Sequence, residues 1–221
     1  DIKQEVVSKS GIWVSKKRYG QWVIRDNGVV VDKLDVKGLD VVRSNFPPAF
    51  RKFMSEILMD ILQDVEKEII DMKIINFKKE MKKLPVVDIA LPTGVKQIKK
   101  FLAKGNSNRI FSDVVKGTPA HVKAAITYND MMKHFGLHKK HELISNGEKI
   151  KWVYLKKNTL NIPAIGFKGY DDPPKIMNFI QEYVDHNKIF ESVLKNKLDL
   201  FYKALSWTEP TDKSKSMEQF F

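Results

Sequence analysis

Between Phe50 and Ile69, apolar residues recur at Phe50, Phe53, Met54, Ile57, Leu58, Ile61, Leu62, Val65 and Ile69 with a period near 3.6. Only an α-helix brings such positions onto one face. Asn45 to Pro48 supplies a cap and a proline suited to a first helical turn. At about 1.5 Å per residue the stripe predicts one rod on the order of 40 Å long, able to hold a contacting tip away from its base. A second stripe, from Ile176 through Phe179, Ile180, Tyr183, Val184, Ile189, Phe190, Val193, Leu194 and Leu198 to Phe201, predicts another long helix. Asp171 and Asp172, ahead of Pro173 and Pro174, read as its cap and dipole partner.

The rest of the chain has a different rhythm. Residues 2 to 7 predict a short strand and Ser8 to Gly11 a turn. Trp13–Val14 and Trp22–Ile24 flank a basic stretch, Ser15 to Gly20, and Asp26-Asn27-Gly28 then leads into Val29–Val31, a β-hairpin signature. Alternation continues from Lys33 to Ser44, with Gly38 marking a bend or a close backbone approach. Further on we expect helical turns around Ile74 to Lys83, a strand at Val86–Ile89, a helix from Val95 to Leu102 carrying Lys96, Lys99 and Lys100, a strand from Lys149 to Leu155, and a loop over 156–170. The expectation is an α+β fold: a small antiparallel hairpin or sheet in 1–43, a mainly α-helical part with a short β element in 44–207, and a polar, flexible tail in 208–221.

The 221 residues carry 39 Lys and Arg against 27 Asp and Glu, a formal charge of +12. A surplus of this size points to a polyanionic partner, most often nucleic acid. It is unevenly spread: residues 121–170 hold nine cations against three anions, whereas 171–221 hold seven against nine. The basic surface is therefore expected in the first three quarters, with the last helix outside it. The absence of cysteine excludes disulfides and thiolate metal sites. No apolar run approaches the roughly twenty residues of a bilayer span, and the N-terminus shows no signal-peptide pattern. A cytoplasmic location with no membrane partner is expected.

Two places carry candidate chemistry. On an extended strand Lys17 and Tyr19 would share one side while Lys16 and Arg18 share the other, and cations on both sides require water or anions on at least one. A reader of nucleic-acid backbone and a half-exposed strand with solvated lysines fit that pattern equally. At the second place, Thr118 suits an N-cap with Pro119 at the first helical position, so the helix N-terminus would lie among Lys116, His121 and Lys123, a good phosphate site. His134, His138 and His141 have a spacing compatible with a metal. Gly136 interrupts them and no carboxylate is placed to orient them, so they read as surface histidines. Phe220 and Phe221 follow the polar tail with no core to enter, the mark of a partner-binding peptide.

Lys16-Lys17-Arg18-Tyr19, approached by Gly11-Ile12-Trp13, resembles the Lys-Lys-Arg-Tyr motif of the family B DNA polymerases. Leu34 to Ser44, with Lys37, Gly38, Leu39, Arg43 and Ser44, is similar to the family's strand from palm to thumb. Lys116 to Asn129 resembles the thumb helix that meets primer-template duplex, Gly147 to Leu155 a thumb strand, and Tyr183 to Trp207 the last thumb helix. Ser216 to Phe221 resembles the sliding-clamp-binding peptide that ends T-even-type bacteriophage polymerases.

The resemblance implies that 1–43 is distal palm, that 44–207 is thumb, and that 208–221 carries the clamp peptide with Met217, Phe220 and Phe221 as contacts. It further implies that Lys17 and Tyr19 follow the primer strand near its 3′ end from the minor groove. Lys16, Arg43, Ser44, Lys116, Thr118, His121 and Lys123 would hold phosphates, and Arg18 and Lys37 belong to the same DNA-binding set. The family's aspartate motifs, one followed by Ser-Leu-Tyr-Pro and the other Asp-Thr-Asp, do not occur in these residues. The expectation is thus a C-terminal piece beginning downstream of the chemistry, inactive alone, with no cofactor of its own and Mg²⁺ in the missing catalytic part. Its partners would be primer-template DNA, a sliding clamp and the remaining palm, fingers and exonuclease, in the host cytoplasm if phage-encoded. The alternative is a self-standing, non-catalytic DNA-binding protein that recruits a clamp.

Overall fold

A computed structural model describes residues 5–103 and 110–209. Met217, Phe220 and Phe221, the expected clamp contacts, lie outside that range. The chain divides into two compact units, one made by residues up to Lys83 together with those from Phe190 onward, the other by Leu84–Ile189. The expected division at 43/44 falls inside the first unit. The fold is α+β, with two antiparallel three-stranded sheets, one in each unit.

The first unit opens with β1 (Val6–Ser15), β2 (Arg18–Asp26) and β3 (Val29–Lys37), a meander in that order. The turn expected at Ser8–Gly11 is instead the middle of β1, accommodated by register shifts around Ser8 and Ser10. Asn27 and Gly28, both at positive φ, form the tight β2–β3 connection. Gly38, also at positive φ, ends the sheet ahead of a 3-10 turn, Asp40–Val42.

The predicted 40 Å rod is two helices, α1 (Pro48–Leu62) and α2 (Lys67–Glu80). Asp64 adopts a left-handed conformation at φ +59° and breaks the run. Beyond the break the buried face moves to Ile70 and Ile74, while Ile69, last member of the stripe, is exposed. Phe50, Met54, Ile57 and Leu58 of α1 are fully buried. A Cβ on Gly20 would lie 2.8 Å from Leu58, so the glycine lets α1 settle against β2.

In the second unit, Val86–Ile89 is not a strand but a single helical turn, α3, and the strand β4 is Leu91–Gly94. The helix expected over Val95–Leu102 shrinks to a 3-10 turn, Ile98–Phe101. Then come α4 (Ala120–His134), β5 (Lys149–Tyr154) and β6 (Ala164–Phe167), with sheet order β4-β5-β6. β5 matches the expected strand, whereas β6 lies within the stretch read as loop. Gly166 brings β6 close under α4, since a Cβ there would sit 3.2 Å from the Ala124 carbonyl oxygen.

The last predicted helix is also divided, into α5 (Pro174–Tyr183), α6 (His186–Ile189), a π-helical stretch Phe190–Lys195 and α7 (Asn196–Ala204). Between α5 and α6 the backbone pairs with the end of β5: Lys156 N–H donates to Tyr183 and Asp185 N–H to Tyr154. Asp172 does not cap α5. Its carboxylate accepts from the Lys168 and Gly169 N–H groups at 2.8 and 2.6 Å, fastening the chain after β6. In the first unit α7 lies against β1, and the Tyr202 hydroxyl donates to Asp71 of α2.

Candidate nucleic-acid interface

Ser15 pairs with Arg18, so Lys16 and Lys17 form a two-residue loop at the tip of the β1–β2 hairpin, both exposed. Lys17 stands at φ +63°. The strand alternation expected to set Lys16 and Arg18 against Lys17 and Tyr19 therefore does not reach the tip. Gly38 packs directly beneath it: a Cβ there would lie 2.3 Å from the Lys17 carbonyl oxygen. Arg18 folds back to donate through Nε to the Gly38 carbonyl at 3.3 Å.

Beside the tip a row of side chains crosses all three strands. Trp13 pairs with Tyr19, and Tyr19 with Lys37. The Trp13 and Tyr19 ring centroids are 6.2 Å apart, and the Lys37 ammonium lies 5.9 Å from the Tyr19 ring centre. The neighbouring Tyr19 phenol, with Asp35 adding, raises the Lys37 pKa above the ordinary lysine value. Trp13 is 62% exposed. This row offers an aromatic surface flanked by cations, a chemistry able to stack on flat rings and attract anions.

The sequence placed Trp13 on the strand leading into the basic stretch, not beside Tyr19. Once Lys16 and Lys17 are the loop, register alone places it opposite Tyr19. In the 3-10 turn after the sheet, Asp40 gathers Arg18, Arg43 and Lys197 at 3.7, 3.6 and 3.1 Å. Lys197 belongs to α7, which the charge count had placed outside the basic surface. Arg43 and Ser44 are both exposed just beyond the 3-10 turn.

The second group lies in the other unit. Val115 to Thr118 is a tight turn, closed by Thr118 N–H donating to the Val115 carbonyl, with Gly117 at φ +85° and Lys116 exposed on it. Thr118 is buried, and its hydroxyl donates to the same carbonyl at 2.6 Å. It therefore closes the turn and does not cap the helix; Pro119 occupies the N-cap position with no side-chain cap. His121 and Lys123 sit half-buried on the first turn of α4, where helix N–H groups have no intrahelical acceptor. Burial lowers the His121 pKa below 6.5, which leaves the ring uncharged at neutral pH.

The three histidines are not brought together. His134 lies against Phe135, His138 Nδ1 is 3.4 Å from the Met132 carbonyl, and His141 Nδ1 is 3.1 Å from that of Asp171. Among the described residues, no three His, Cys, Asp or Glu side chains are grouped to hold a metal ion, and no helix is long and apolar enough to cross a membrane.

The family model described as DNA polymerase family B matches residues 1–204. No curated protein matches the chain.

Proposed function

The chain belongs to DNA polymerase family B, and on that premise we propose that it grips primer-template duplex without reading its sequence and tethers the enzyme to a sliding clamp. The observation that carries the reading is the hairpin tip: two exposed lysines in a loop, with the Trp13–Tyr19–Lys37 row at their side. Phosphate contacts fix position and carry no base information, which suits an enzyme that must advance over any template.

Lys16, Lys17, Arg18, Tyr19, Lys37, Arg43 and Ser44 form the contact group of the first unit. Lys116, His121 and Lys123 form a separate contact group in the other unit, with Thr118 holding the shape of the turn that presents Lys116. Nucleotidyl transfer needs carboxylates that hold two divalent ions. In this reading those carboxylates and their Mg²⁺ belong to the remaining palm, and the chain by itself does not polymerise. Met217, Phe220 and Phe221 are the clamp contacts, of the T-even bacteriophage type.

The test is the affinity for a labelled primer-template junction, compared with single strand, across a salt series. Preference for the junction, with a log–log slope of about −0.9 per phosphate held, is expected. Replacing Lys16 and Lys17 together should flatten the slope by about 1.8. A slope near zero, or an affinity that follows base sequence, would overturn the reading. Deleting Ser216–Phe221 should abolish clamp binding and leave the junction affinity intact; an unchanged clamp affinity would remove the peptide from the account.

A further inference from the structure

Asp40 is the meeting point of three separate parts of the chain. Arg18 reaches it from the start of β2, Arg43 from just beyond the 3-10 turn, and Lys197 from α7. Its side chain is only 12% exposed, whereas that of Arg43 is 53% exposed, so the carboxylate lies beneath cations that remain open to solvent. One carboxylate offsets one charge, and the cluster keeps a formal charge of +2. Like charges this close disperse into solvent unless something fastens them. Here the fastening is visible: Arg18 is held at Nε by the Gly38 carbonyl and at a terminal nitrogen by Asp40.

We propose that Arg18, Arg43 and Lys197 form a single phosphate-binding cluster beside the tip of the basic hairpin, with Asp40 as its positioning residue. The inference rests on the DNA-gripping reading and adds to it Lys197 and the carboxylate that orients all three cations. The ligand is a backbone phosphate of duplex DNA, whose two non-bridging oxygens suit guanidinium forks and an ammonium together.

Charge and positioning make opposite predictions for Asp40→Asn, which decides between them. The substitution raises the cluster from +2 to +3, so simple attraction predicts tighter binding. Loss of the anchor predicts weaker binding. We expect affinity for a fluorescein-labelled primer-template duplex to fall about tenfold, the loss of roughly one hydrogen bond to a charged group. Lys197→Met should reduce the magnitude of the salt slope by about 0.9, and Lys197→Arg should restore it.

Thermal melts of each variant verify folding; if Asp40→Asn fails to fold, the Lys197 pair decides alone. Tighter or unchanged binding by a folded Asp40→Asn would overturn the positioning role. An unchanged slope in Lys197→Met would remove Lys197 from the interface. A wild-type chain that shows no salt-dependent duplex binding would instead defeat the grip itself, so the two failures are distinguishable.

Discussion

Gly38 sets the hairpin tip. At φ +68° alanine is strained, and its Cβ would clash with the Lys17 carbonyl oxygen unless the backbone shifts. Gly38→Ala should lower stability by about 1–3 kcal/mol in urea unfolding, and the folded remainder should bind duplex more weakly because Lys17 is displaced. Equal stability would show that the tip does not rest on this approach. His121 gives a pH signature. Its pKa is lowered by burial, so the folded chain holds fewer protons there than the unfolded chain, and its contribution to folding weakens as pH falls below 6.5. A phosphate beside the ring favours the protonated form. Duplex affinity should therefore rise on acidification from about pH 7.5 to about pH 5.5. His121→Gln should remove that increment, and an identical pH profile in the variant would place His121 away from phosphate.

The helices show what periodicity can and cannot reveal. An apolar stripe reports which residues face a core, and the stripe of α1 was legible for that reason. It does not report backbone continuity: Val65 and Ile69 kept the rhythm by coincidence while left-handed Asp64 broke the helix and α2 buried Ile70 and Ile74 instead. The last stripe broke for a tertiary reason, because residues between Tyr183 and Asp185 bond to the end of β5, which no local pattern encodes. The hairpin was legible from its turn residues and alternation, but the Asp40 cluster joins residues far apart in sequence and needed the fold. Asp171 and Asp172, read from sequence as an equivalent pair, separate clearly in function. Asp172 accepts two backbone N–H groups, and the buried Tyr128 of α4, whose pKa is raised by burial and by this same carboxylate, ties it to the helix. The side chain of Asp171 is 86% exposed. Asp172→Ala should cost about 1–3 kcal/mol, chiefly by leaving the buried Tyr128 hydroxyl without this acceptor, whereas Asp171→Asn, which tolerates the left-handed backbone at φ +51°, should leave the unfolding midpoint nearly unchanged. Equal effects would mean that the loop after β6 is held by something other than Asp172.

At the scale of the whole chain, the two units differ in how their sequence is assembled. Leu84–Ile189 is one uninterrupted segment with its own sheet, its own covering helix and the Lys116–Lys123 group. The other unit is discontinuous: α1 and α2 precede the inserted segment, and α7, which supplies buried Leu198, Phe201 and Tyr202, follows it. Contacts made within a continuous segment close short loops and do not depend on the remainder of the chain. A polypeptide of residues 84–189 should therefore unfold in one cooperative transition in urea and retain the His121-dependent gain in duplex affinity at low pH. A polypeptide ending at Lys83 lacks α7, so it leaves α2 without the Tyr202 hydroxyl on Asp71 and β1 without its covering helix. It should melt without a sharp transition, and joining 1–83 to 190–209 through a short flexible linker should restore one. A cooperative melt for 1–83 alone would show that α7 is an attachment to that core and not part of it, and the Lys197 arm of the phosphate cluster would then rest on a helix the unit does not require.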